Sequence, residues 1–156
     1  MSPRLKQVIS ALYRPQAHRR VFALSRVEAE SLPTVSGVAV ISVTAPRMEL
    51  AKLGEFQNVL RLSFADVDHL SPDISPRAKA KLEDAFTLEQ ARQVIAFVEA
   101  LGPDVRDLVV HCEGGYSRSC AIAKFLHERY AYVAEVDRLL DANQSVVTLL
   151  RRAARR

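Results

Sequence analysis

Apolar residues along this chain fall into short uniform runs and into longer stretches where they recur every three or four positions, and the two patterns alternate. Val21-Phe22-Ala23-Leu24 and Val38-Ala39-Val40-Ile41-Ser42-Val43, the second preceded by the turn signal Ser36-Gly37, predict strands. Leu60 to Phe64 and Leu108-Val109-Val110 predict two more, the last so short and uniformly apolar that it reads as fully buried. Between them lies a helical pattern. Thr87 followed three positions later by Gln90 forms a capping box, and Leu88, Ala91, Val94, Ile95, Val98 and Leu101 share one face before Gly102-Pro103. Ser75-Pro76 marks another helix start, with residues 77–86 readable as helix or as a partly ordered connection. The spacing from Ser117 through Tyr130 predicts a further helix. Strand and helix in alternation predict an α/β fold: a central, mostly parallel sheet flanked by helices on both faces.

Composition narrows this to one domain. The 156 residues carry no internal repeat or low-complexity linker, and that length supports a single well-formed core. No apolar run approaches the roughly 20 residues that cross a bilayer, and no continuous apolar signal core follows the first basic residues, so no membrane span and a cytoplasmic location are expected. The charge is uneven. Residues 1–26 hold Arg4, Lys6, Arg14, Arg19, Arg20 and Arg26 with no acid, and residues 151–156 add Arg151, Arg152, Arg155 and Arg156, so the +4 chain has an acidic middle. A basic N-terminal segment (1–20) and a basic C-terminal tail (151–156) are expected to be solvated, with an acidic or nucleic-acid partner as the alternative use of their charge.

The candidate chemistry is concentrated in His111-Cys112-Glu113-Gly114-Gly115-Tyr116-Ser117-Arg118-Ser119, directly after the buried run Leu108-Val109-Val110. Cys112 offers a thiolate to attack phosphorus, and Arg118, six positions on, offers a planar guanidinium to grip phosphate oxygens in pairs. Gly114 and Gly115 between them let successive backbone N–H groups turn inward, with Glu113, Tyr116 and Ser117 completing the phosphate-binding loop. Cysteine with arginine six residues on is a weak motif alone. Its context of strand, glycine loop and helix start supplies the required geometry. A helix N-terminus brings positive potential and unpaired N–H donors to a dianion, and the same field favours the thiolate of Cys112 over the thiol.

This loop resembles the signature loop of the cysteine-dependent protein tyrosine phosphatases, in particular the compact dual-specificity type and its short bacterial and phage-like relatives. Val40-Ile41-Ser42-Val43-Thr44-Ala45-Pro46 is similar to the first core strand of those proteins, Leu60 to Val67 to their strand leading into an acidic loop, and Asn143-Gln144-Ser145-Val146-Val147 to their closing helix. The resemblance covers roughly residues 20–150. It implies a tyrosine-phosphatase-like fold and hydrolysis of phosphotyrosine, with phosphoserine and phosphothreonine as further substrates, through a phosphocysteine intermediate. It also implies a carboxylic acid just beyond the strand Leu60 to Phe64 to protonate the leaving group, where alignment favours Asp66, with Asp68 as runner-up and Asp73 as a third competitor. Ser119 stands where the family places a hydroxyl that assists the sulfur to leave.

Other readings of the same residues stay open. His111 fits a loop-fixing role by hydrogen bonding or an ordinary satisfied core histidine. Glu113 places negative charge at the mouth and the loop adds no cation beyond Arg118, which favours a phosphoprotein over a polyanionic inositol phosphate. Tyr116 is positioned to stack on a phosphotyrosine ring or merely to brace the loop. Cys120 suits a small buried site better than a disulfide with Cys112. No metal and no cofactor are expected, because Cys112, Cys120, His111 and His127 lack paired ligand spacing for zinc. The competing functions are phosphate removal from RNA ends or another small phosphoester, a non-catalytic phosphate-binding module, and sulfur transfer by a rhodanese-like cysteine.

Overall fold

The computed structural model describes residues 1–14 and 16–155. In chain order these form α1 (Pro3–Leu12), β1 (Arg20–Ser25), α2 (Arg26–Glu30), β2 (Val38–Thr44), β3 (Asn58–Ser63), α3 (Pro76–Lys79), α4 (Leu88–Glu99), β4 (Asp107–Cys112), α5 (Arg118–Tyr130), β5 (Val133–Ala134) and α6 (Gln144–Ala154). The five strands make one sheet in the order β3-β2-β4-β1-β5, and every pair is parallel. The expected α/β architecture is therefore present, with a sheet that is wholly parallel. Such a sheet must be covered on both faces, because neither can meet water.

Alternation along the strands supplies the two faces. Val21 and Ala23 of β1, Ala39, Ile41 and Val43 of β2 and Leu108, Val110 and Cys112 of β4 point into the larger core with α4, α5 and α6. Phe22, Leu24, Val38 and Val109 point the other way, onto Leu5, Val8 and Leu12 of α1. Caps fix where the helices begin. Ser75 caps α3, and Thr87 and Gln90 form the expected capping box on α4. The stretch beyond α3 tightens into a 3-10 turn at Leu82–Asp84.

The N-terminal segment departs from expectation. It is not a solvated basic arm: Ser2 caps α1, Pro3 occupies its first turn, and Leu5, Val8 and Leu12 are buried. The six cations of residues 1–26 had hidden that period. Most of them are turned inward. Arg4 donates to the Ala23 carbonyl at 3.0 Å and pairs with Glu135 at 2.8 Å. Arg19 reaches the Gly102 carbonyl at 2.6 Å, and Arg20 grips both Asp107 oxygens at 2.7 and 2.9 Å. At the other end Arg151 pairs with Glu128, while Arg156 lies outside the described residues. Among the described residues no helix is long and apolar enough to cross a membrane.

Candidate active site

β4 is flanked by β2 and β1 and ends at Cys112, so the following loop opens at the carboxyl edge of the sheet, where parallel α/β folds place their sites. Two glycines shape the loop. Gly115 has φ +81°, and a Cβ there would stand 2.5 Å from the Ser25 nitrogen and 2.7 Å from the Leu24 carbonyl carbon, because the loop lies directly on the end of β1. A Cβ at Gly114 would strike the Tyr116 ring. From the β1 side, the Arg26 N–H donates to the Glu113 carbonyl at 3.2 Å, and its guanidinium stands 3.8 Å from the Glu113 carboxylate.

Cys112 is buried and free, and its sulfur receives the Gly115 N–H at 3.2 Å and lies 3.1 Å from Ser119 Oγ. The sulfur is thus set between a loop N–H and a first-turn hydroxyl of α5. Arg118, in the first turn of α5, is 6% exposed and anchors one nitrogen, Nη1, on the Phe64 carbonyl at 2.9 Å. Its Nε is buried without a hydrogen-bond partner among the described residues. Buried guanidinium donors are rarely left unmatched, and an oxyanion would match this one. The start of α5 is also open: Ser2, Ser25, Thr87 and Asn143 cap α1, α2, α4 and α6, whereas Ser117 makes no cap bond. First-turn N–H groups and the helix field are thus turned to the loop.

Ser117 spends its hydroxyl elsewhere. It donates to Asp66 Oδ1 at 2.8 Å, and Asn143 Nδ2 donates to the same oxygen at 2.9 Å. Both bonds fall on Oδ1. Asp66, Cys112, Glu113, Gly114, Tyr116, Ser117 and Arg118 line one cavity of about 210 Å³. The other two acids are placed differently. Asp68 bonds Ser145 Oγ and lines a separate hollow with Leu70, Gln144 and Thr148. Asp73 is exposed in the loop beyond, its N–H on Ser71 Oγ at 3.3 Å.

Two supporting residues escaped the sequence reading. Asn143 caps α6 with Oδ1, accepting from Ser145 and Val146 N–H, holds Asp66 and the Val67 carbonyl with Nδ2, and donates its own N–H to the Ser117 carbonyl at 3.1 Å. An asparagine before an apolar helical period is legible as a cap, but its second attachment is tertiary. The other is Ser42, opposite His111 in the β2–β4 register and 2.6 Å from His111 Nε2. His111 Nδ1 lies 3.3 Å from the Cys112 carbonyl, which can only accept, so Nδ1 carries the proton and Nε2 accepts from Ser42.

Burial holds His111 below the usual histidine range, outweighing the bond to the Cys112 carbonyl, and Arg26 and Arg61 push the same way. Below about pH 6.5 the unfolded chain takes up a proton that folded His111 resists, so this contribution to stability is complete at neutral pH and is lost as the pH falls. Urea midpoints are expected to drop between pH 7.5 and 5 by more in the wild type than in His111→Gln; equal drops would contradict this. Cys120 is buried in the first turn of α5. Its thiol, free and buried, lies 3.1 Å from the Arg138 carbonyl and 3.4 Å from that of Gly115, and burial, reinforced by nearby Cys112, pushes it up to about 11.

No family model matches the chain, and neither a curated protein nor a solved structure matches it significantly.

Proposed function

We propose that the chain is a cysteine-dependent phosphomonoesterase of the tyrosine phosphatase type, acting on phosphotyrosine in proteins and on phosphoserine or phosphothreonine where they reach the thiolate. The observation that carries this reading is the meeting of a sulfur nucleophile, a guanidinium and a carboxyl group around one cavity. Cys112 Sγ attacks phosphorus while the P–O bond to the leaving group breaks. Arg118 and the loop N–H groups stabilise the charge on the transferring phosphoryl oxygens. Asp66 gives its proton to the departing oxygen. Water then attacks the phosphocysteine, Asp66 takes the proton back, phosphate leaves, and Ser119 receives the sulfur as thiolate.

This cycle requires Cys112 reduced, which a cytoplasmic location maintains. The site favours phosphoprotein over RNA ends, because Glu113 brings negative charge to the mouth and Arg4, Arg19 and Arg20 are engaged within the fold. A purely binding role would not need Sγ set between the Gly115 N–H and the Ser119 hydroxyl.

Phosphate release from a phosphotyrosine peptide, with reductant and chelator present, tests the reading, and Asp66→Asn tests the acid. The variant is expected to lose about 10²- to 10³-fold on phenyl phosphate and far less on 2,4-dinitrophenyl phosphate, whose leaving group needs no proton. A uniform loss across both esters, or the same dependence in Asp68→Asn instead, would contradict the assignment of Asp66.

A further inference from the structure

Asn143 is buried and places each of its polar groups on a different segment. Its Oδ1 accepts the Ser145 and Val146 N–H groups at 3.0 and 3.2 Å and so starts α6. Its Nδ2 donates to Asp66 Oδ1 at 2.9 Å and to the Val67 carbonyl at 3.2 Å, and its main-chain N–H donates to the Ser117 carbonyl at 3.1 Å. The acid-bearing loop after β3, the phosphate-binding loop after β4 and the start of α6 therefore meet on one residue. Capping alone does not call for an amide. Ser2, Ser25, Ser75 and Thr87 begin α1 to α4 with a hydroxyl. What an amide adds is a donor on the arm opposite the capping oxygen, and here that donor goes to the carboxyl group assigned as the acid.

The acid needs such a hold. Asp66 is exposed, and the last torsion of an aspartate is broad, so burial does not fix how its carboxyl group turns. Ser117 Oγ and Asn143 Nδ2 converge on its Oδ1 at 2.8 and 2.9 Å. Asn143 bears on both bonds: it makes the second itself and holds the main chain of the residue that makes the first. Asp66 and Ser117 line the cavity and Asn143 does not, so its action passes through them. Resting on the phosphatase reading, we propose that Asn143 is a positioning residue for proton transfer, which orients the Asp66 carboxyl at the pocket and ties the acid loop to the phosphate-binding loop. A reacting group displaced by about 1 Å costs up to about 10²-fold in rate, so the loss of this hold is measurable.

Asn143→Ser keeps a capping hydroxyl and removes the amide donor. Phenyl phosphate, whose leaving group needs the proton, and 2,4-dinitrophenyl phosphate, whose leaving group does not, separate an effect on the acid from a general effect on the fold. The ratio of kcat on the dinitrophenyl ester to kcat on the phenyl ester is expected to rise about tenfold or more in Asn143→Ser. The same substitution made in Asp66→Asn, where no acid is left to position, is expected to change that ratio by less than about twofold. Asn143→Thr, which caps with a hydroxyl as Thr87 does on α4, is expected to repeat the result and decides the matter if Asn143→Ser does not fold. An unchanged ratio in a folded variant, an equal loss on both esters, or a rise as large in the Asp66→Asn background would overturn the positioning role alone. Hydrolysis of neither ester by the wild type would instead overturn the phosphatase reading, and this role with it.

Discussion

Cys112→Ser is expected to bind a phosphotyrosine peptide and to turn over none of it measurably, a loss of about 10⁴-fold or more in kcat. The substitution exchanges one atom. Serine fits the same volume, and the Gly115 N–H and Ser119 hydroxyl that face Sγ can face Oγ equally well. A hydroxyl, however, is far harder to ionise than a thiol, and alkoxide is a far worse leaving group when water attacks the phosphoenzyme in the second step. Binding therefore survives, because Arg118 and the open first turn of α5 remain, while the first covalent step fails. Anisotropy of a labelled phosphopeptide and single-turnover phosphate release check the two halves separately. Residual turnover within tenfold of wild type would remove Cys112 from the role of nucleophile.

Arg118→Lys is expected to cost about 10²- to 10³-fold in kcat/KM although it keeps the charge. One planar guanidinium presents donors at two positions here: Nη1 holds the Phe64 carbonyl and so the root of the Asp66 loop, while the buried Nε has no hydrogen-bond partner among the described residues. An ammonium group concentrates its donors at one point and cannot span both positions. Weaker inhibition by inorganic phosphate is expected to accompany the loss, since ground-state binding uses the same donors. A variant within fivefold of wild type would show that charge alone, without the fork, suffices.

The nine contiguous residues His111–Ser119 were legible as a unit because strand, glycines and helix start adjoin in the chain and need no long-range contact to be arranged. The strands and α4 were legible for a related reason: their apolar periods match what a doubly covered parallel sheet demands. The resemblance favours Asp66 over Asp68 in the sequence, but the surroundings of the two acids are a tertiary matter. The two are separated by a single residue, and what divides them is Asn143 and Ser117 grasping one while Ser145 takes the other. The pairing of His111 with Ser42 depends likewise on the β2–β4 register. α1 is obscured in the sequence because the cations of residues 1–26 mask the helical spacing of Leu5, Val8 and Leu12. The two-residue β5 is too short for any period to mark it.

The most direct test of the central claim is to mix wild-type protein with a phosphotyrosine peptide in the presence of chelator, quench in acid within milliseconds and locate any added phosphoryl group by mass spectrometry. The account predicts one phosphoryl group on Cys112, appearing before free phosphate and absent from Cys112→Ser. Phosphate release with no phosphoryl group on Cys112, or release that persists in Cys112→Ser, would contradict it.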